Sequence, residues 1–311
     1  MTLPPQASPH PDFAALVDSW TLALQADGYS ANTLRSYRRA VAYLADWLAE
    51  HHPDVGPAEL TREHVRGWVV HVREATSSGT ARSHFAGVRH FTRWCVAEGE
   101  AEVDATEGIR TPAPNDPSTP VLALDDIRAL IGTCTGNDFL ARRDRAILLV
   151  FVDCGVRLAE IAGLALDDVD LRDRVLFVRG KGSNRSGPRL RAVPFGVRCA
   201  RELDRYVRER RKHPYASAPQ LWLGARDRAT LSADGIERML HRRAEQVGIK
   251  IHPHMFRHSW ASQFRAAGGA EGDLMVLGGW RSRAMLDRYG RAAAAERAAE
   301  AYRRLALGDR L

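Results

Sequence analysis

Five short segments of this 311-residue chain carry side chains able to handle a negatively charged oxygen. Arg157 follows a glycine break in Asp153-Cys154-Gly155-Val156-Arg157-Leu158-Ala159-Glu160, with Glu160 one turn further on and able to orient its guanidinium bidentately. Lys181 stands between Gly180 and Gly182. His254-Met255-Phe256-Arg257-His258 follows Pro253, a residue suited to a helix entrance, and its spacing puts 254, 257 and 258 on one helical face. Gly278-Gly279-Trp280-Arg281-Ser282 and Arg288-Tyr289-Gly290 set a Trp and a Tyr nine residues apart. Two histidines at i, i+4 also suit a zinc-binding helix, but that motif needs Glu after the first His and Met255 stands there, so no metal is expected. Each segment alone has a bland reading: a core-satisfied His beside a surface Arg, or an aromatic packed in a helix.

The elements that must position these residues are mostly helical. After Ser30, a suitable N-cap, Leu34, Tyr37, Val41, Leu44 and Leu48 recur at helical spacing, with Arg35, Arg38 and Arg39 off that stripe. A second amphipathic helix is expected over about 81–97, with Phe85, Val88, Phe91 or Thr92, and Cys95 inward and Arg82, Arg89 and Arg93 outward. These arginines are either a solvated face or phosphate contacts that position a protein on DNA without reading its sequence. Further on, a helix over Asp138 to Asp153 capped by Gly155, a short helix from Arg157 to Gly163, and strands at 175–178 and 190–193 are expected. The strands flank a basic, glycine-lined tip from Gly180 to Pro188. Helices are expected again at roughly 196–212, 231–247, 254–267 and 282–306.

Charge divides unevenly between these elements. At roughly 150 residues per domain the length suggests two domains, and Thr111 to Pro120, with four prolines, reads as a semi-extended linker. Before Val121 there are 10 arginines against 15 acidic residues, a net −5; from Val121 onward 35 basic residues face 23 acidic ones, a net +12. A polyanion is therefore expected at the second domain. The 45 basic residues include only three lysines, Lys181, Lys212 and Lys250, and an ammonium can give up its proton where a guanidinium cannot. The cysteines, Cys95, Cys134, Cys154 and Cys199, lack CxxC spacing and read as buried reduced thiols; with no secretory h-region or membrane-length apolar run, a soluble cytoplasmic protein is expected.

The order Arg157, Lys181, His254-x-x-Arg257, Trp280, Tyr289 resembles the tyrosine recombinase (phage integrase) family over nearly the whole chain. Most members have His nine residues before the Tyr; Trp280 here is similar to the Cre-like variant and could donate its indole N–H but not transfer a proton. The resemblance implies a mainly α fold with a small antiparallel β-sheet: a helical, SAM-like core-binding domain at 12–107, a linker at 108–120 and an α+β catalytic domain at 121–311. It implies a site-specific recombinase or integrase that cleaves and rejoins DNA through a 3′-phosphotyrosyl intermediate without a cofactor, with a mobile element (phage, conjugative element or transposon) or a chromosome-dimer resolution system as the carrier. Tyr289 would be the nucleophile, Arg157, Arg257 and Trp280 donors to the phosphate, Lys181 the acid for the departing sugar oxygen and His254 the acceptor of the phenolic proton, with Glu160 and His258 in support. Double-stranded DNA sites and a tetramer on DNA would be the partners, with the helix 292–307 docking on a neighbouring protomer.

Three other readings stand beside this one. A topoisomerase-like enzyme would share the nicking chemistry without joining two sites, and a silent DNA-binding regulator would only hold DNA. A metal-dependent nuclease would use Asp167-Asp168-Val169-Asp170, although an acidic turn before a strand reads as caps and solvated loop charges. Tyr302, a rival nucleophile, reads as a helix-packing tyrosine.

Overall fold

The computed structural model describes residues 11–113, 120–180, 189–225, 228–280, 282 and 302–303. Lys181, the hairpin tip, Tyr289 and the expected C-terminal helix over 292–307 lie outside them, apart from two of that helix's residues. The chain folds as two units, divided between residues 116 and 117.

Among the described residues of the first unit there are four helices: α1 (Pro11–Ala26), α2 (Ala31–His51), α3 (Arg62–Ala75) and α4 (Ser78–Glu98). Side-chain caps fix the starts of the last three. Ser30, Thr61 and Ser77 accept the N–H groups of Thr33, His64 and Thr80, which the first turn of a helix cannot satisfy internally. Gly99, in the left-handed region at φ 79°, ends α4. The expected stripe of α2 is inward, joined by Ala40, Ala45 and Trp47. Where α2 crosses α4 only Gly87 fits, since a Cβ there would lie 2.8 Å from the Cβ of Ala40. Trp20, Trp68, Phe85 and Phe91 fill the core between the helices.

The second unit is helical around a small sheet. Helix α5 (Leu124–Gly132) precedes α6 (Phe139–Cys154), whose buried Ile147, Leu148, Val150 and Phe151 make it the centre of the core. Asp138 caps α6 and Gly155 stops it, as its sequence predicts. Next come α7 (Leu158–Ala162), a 3-10 turn at Leu166–Asp168, and strands β1 (Val169–Asp170), β2 (Val175–Arg179) and β3 (Leu190–Pro194). The sheet is antiparallel in the order β1-β2-β3, with Phe177 opposite Ala192. Helices α8 (Val197–Arg210), α9 (Ala233–Glu245), α10 (Pro253–Ala266) and α11 (Glu271–Gly278) complete the described unit.

The acidic turn before the sheet holds a cap, one of the two roles expected of it. Asp168 is not a solvated loop charge: it is buried, accepts the N–H of Ala165 and receives Arg179 Nη1 at 2.7 Å from β2. It is a structural cap whose charge is matched, and among the described residues no group of His, Cys, Asp and Glu could hold a metal ion. Tyr302, one of the two described residues of the expected C-terminal helix, is helical and 65% exposed in the single chain. All four cysteines are free and buried, and no described helix is long and apolar enough to cross a membrane.

Gly155 has two constraints at once. Its φ is 56°, and a Cβ there would fall inside the Trp260 indole of α10. Gly155→Ala is expected to destabilise the second unit by about 3 kcal/mol or more, through overpacking added to backbone strain. Urea unfolding followed by tryptophan fluorescence measures this; an unchanged midpoint would show that the helix break tolerates a side chain.

Candidate active site

The end of α6 determines where Arg157 stands. After the left-handed Gly155 and buried Val156, Arg157 is the extended N-cap of α7, at φ −77° and ψ 154°, with its side chain 36% exposed. Glu160, one turn into α7, accepts the Arg157 backbone N–H on Oε2 at 2.9 Å and Arg157 Nη1 on Oε1 at 2.8 Å. This capping arrangement holds the arginine's backbone and side chain together.

The bidentate partner of Glu160 is not Arg157, as expected, but Arg191 on β3. Arg191 Nη1 donates to Oε1 at 3.0 Å and Nη2 to Oε2 at 2.8 Å. The reason is geometric: Glu160 already caps the Arg157 N–H, so its two oxygens cannot both face the Arg157 guanidinium, and β3 supplies a fork from the other side. Burial alone would raise the Glu160 carboxyl, but hydrogen bonds from Arg191 and the Arg157 backbone, with both positive charges, bring it down to about 2. The carboxylate is therefore ionised throughout the physiological range.

The entrance of α10 supplies the second group. Pro253 takes the first helical position and brings His254 and Arg257 to the same region as Gly155. Arg257 is fully buried; Nη1 donates to Gly155 O at 2.7 Å and Nη2 to Gly278 O, at the end of α11. Its guanidinium carbon lies 4.0 Å from the centre of the Trp280 ring, and Trp280 in turn stacks on Trp260 with ring centres 6.0 Å apart. Gly278 and Gly279 permit this turn: a Cβ on Gly278 would enter the Trp280 ring, and Gly279 has φ 65°. The structure thus places Arg157, Glu160, His254, Arg257, His258 and Trp280 around one break, while Lys181 and Tyr289 lie outside the described residues.

His254 sits at the surface of the first turn, its ring centre 4.9 Å from that of His258. Desolvation, then the charges of Arg257, His252 and Arg157, lowers its pKa, so the ring is neutral near pH 7 and can accept a proton. His258 is buried, and desolvation followed by His254, His252 and Arg257 lowers it from 6.5 to about 4. Since the folded state disfavours the charged ring, the stability His258 supports is present above pH 6.5 and is lost as pH falls towards 4. Urea midpoints recorded across that window are expected to fall more steeply for the wild type than for His258→Asn; equal slopes would remove His258 as the cause.

Sequence reasoning missed Arg191, whose partners are distant in sequence and whose strand pattern marks it only as one of many arginines. It also misread Arg89. That side chain is not outward: Nη1 donates to Thr111 Oγ1 at 3.0 Å, Nη2 donates to Ile109 O, and the guanidinium lies over Phe85. The chain after α4 folds back over it. Arg38 and Arg93 pair with Asp18 and Asp104, Arg35 donates to Asn32 Oδ1, and Arg82 is exposed. Arg35 and Arg39 instead line a cavity of about 710 Å³ with Ser36, Ser77, Thr80 and His84, beside the starts of α2 and α4. Paired Ser caps ahead of two arginine-bearing helices were its sequence signal.

The phage integrase family model matches residues 120–296, and that of its N-terminal SAM-like domain matches residues 17–99. Tyrosine recombinase XerD of Mycobacterium tuberculosis is 32% identical over 281 residues, covering 81% of this chain and 87% of that one. Tyrosine recombinase XerC of Chromobacterium violaceum is 32% identical over 245 residues, 78% of each chain. Among solved structures, the Tn1549 transposon integrase in complex with transposon right-end DNA has a TM-score of 0.73 at 15% identity, covering 94% of this chain and 99% of that one. Lambda integrase bound to a core site has a TM-score of 0.67 at 16% identity, covering 89% and 94%. The chain belongs to the phage integrase family and is a tyrosine-type site-specific DNA recombinase.

Proposed function

We propose that the chain cuts and rejoins double-stranded DNA through Tyr289. The phenolic oxygen bonds to the scissile phosphorus and the 5′ sugar oxygen leaves, so the 3′-phosphotyrosyl bond retains the energy that rejoining needs. The phenolic proton passes to His254, which is neutral at working pH, and Lys181 protonates the leaving oxygen. Arg157, Arg257 and Trp280 meet the charge on the non-bridging oxygens, with Glu160 and His258 holding their neighbours in place. No cofactor or metal enters this route.

The observation that carries the reading is the convergence at Gly155. Arg257, 102 residues further along the chain, donates to the Gly155 carbonyl two residues before Arg157, and His254 stands on the same helix entrance. Residues 12–107 form the DNA-holding domain on this reading, 108–120 the linker and 121–311 the catalytic domain. The cavity lined by Arg35 and Arg39 suits a backbone phosphate, with Arg82 and Arg93 as further contacts. Four protomers act together, the segment 292–307 of each docking on a neighbour. DNA in the structures of the Tn1549 and lambda integrases supports DNA as the partner.

A plasmid with two copies of the chain's own target site tests the reading. Exchange of the flanking segments, unaffected by EDTA, is the expected product. Relaxed circles without exchanged segments would favour the topoisomerase-like alternative, binding without any strand break the silent regulator, and loss of cleavage in EDTA a metal-dependent nuclease.

A further inference from the structure

Arg191 joins three parts of the site that are far apart in sequence. Its side chain is 11% exposed and its two terminal nitrogens grip the Glu160 carboxylate, itself 4% exposed, 31 residues earlier. Its Nε donates at 2.8 Å to Leu277 O, 86 residues later, at the end of α11. The next residue in the chain, Gly278, gives its carbonyl to Arg257, and Gly279 is so close that a Cβ there would lie 3.4 Å from Arg191 Cδ and Nη1. One planar guanidinium therefore holds the carboxylate that fixes Arg157 and also the backbone turn that carries Trp280.

We infer that Arg191 is a positioning residue for strand cleavage: through Glu160 it sets the Arg157 guanidinium, and through Leu277 O it sets the Gly278-Gly279-Trp280 turn. The inference rests on the assignment of Arg157 to the scissile phosphate. Chemistry favours arginine for this task. Three nitrogens donate in two directions within one plane, Nη1 and Nη2 towards a carboxylate and Nε towards a carbonyl. A lysine keeps the positive charge and can satisfy one of these partners, but cannot hold the fork. Without the fork Glu160 remains bound to Arg157 and is free to swing with it, so the donor loses its fixed direction while the phosphate-binding charge survives. Misplacing a catalytic group by about 1 Å can cost about 10²-fold in rate.

The test uses full-length protein and a nicked suicide substrate carrying the target site, with single-turnover formation of the covalent adduct, equilibrium DNA binding and the melting midpoint measured for Arg191→Lys, Arg157→Ala and the double variant. The expected result for Arg191→Lys is adduct formation slowed by about 10²-fold at saturating protein, with the DNA dissociation constant within about twofold of wild type. In the Arg157→Ala background the part of that loss transmitted through Glu160 is expected to vanish, since Arg157 is no longer there to be positioned, and only the smaller part transmitted through the Trp280 turn remains. Glu160→Gln, similar in size and lacking the carboxylate charge, is expected to reproduce the slow cleavage with intact binding, and it decides the matter if Arg191→Lys does not fold.

Wild-type cleavage by Arg191→Lys would overturn the inference, as would an undiminished additional loss in the double variant. Cleavage and binding that fall together with the melting midpoint would also overturn it, since that is the result of a merely structural arginine. Wild-type cleavage by Arg157→Ala would instead remove the assignment of Arg157 to the phosphate on which the inference rests.

Discussion

Tyr289→Phe is expected to bind the target site as tightly as wild type and to form no covalent protein–DNA adduct on a nicked suicide substrate. The substitution removes one oxygen and keeps the ring, so packing and binding surface are retained while the nucleophile is lost. A suicide substrate makes the result clear because the short strand beyond the scissile phosphate diffuses away and traps the linked protein. The adduct is counted as a slower band on a denaturing gel. Any adduct that survives in Tyr289→Phe would have to come from another hydroxyl, and Tyr302, 65% exposed, is the residue to replace next. Residual adduct in Tyr289→Phe that disappears on adding Tyr302→Phe would transfer the nucleophile's role.

Much of this arrangement was legible in the sequence, for physical reasons that differ from residue to residue. The α2 stripe and its Ser30 cap, and α6 between Asp138 and Gly155, are local patterns: spacing buries one face, and the cap satisfies N–H groups only a few residues away. The strands β2 and β3 were legible from short β-prone runs on either side of a glycine-rich turn. Two-residue β1 was not, because two residues carry no periodicity, and α5 and α11 are short enough to depend on packing for their existence. Site residues followed the same division. His254 and Arg257 are one helical turn apart and so announce a shared face, whereas the ring of Arg191, Glu160 and Leu277 O closes through a bond that spans 86 residues. Arg89 and Asp168 show the same limit from the other side: each is an ordinary surface residue by its own segment, and each is covered by a partner that only the fold supplies.

Arg257→Lys should lose both stability and chemistry. In the folded chain Nη1 reaches Gly155 O at 2.7 Å while Nη2 reaches Gly278 O, and the guanidinium plane covers Trp280. A lysine ammonium is a single point on a flexible stem; it can meet one carbonyl and leaves the other buried without this donor. A buried carbonyl left unsatisfied costs about 1–3 kcal/mol, so the melting midpoint should fall by several degrees. Loss of a preorganised donor at a phosphate in its transition state slows the reaction by about 10²–10³-fold. The two effects are separated by assaying adduct formation well below the variant's melting midpoint, with the folded fraction checked by circular dichroism. Cleavage restored to the wild-type rate at low temperature would mean that Arg257 only braces Gly155 against the α11 turn. A rate still depressed about 10²-fold in fully folded protein would make the same guanidinium both the brace and the donor, and would explain why it lies at the point where α6, α10 and α11 meet.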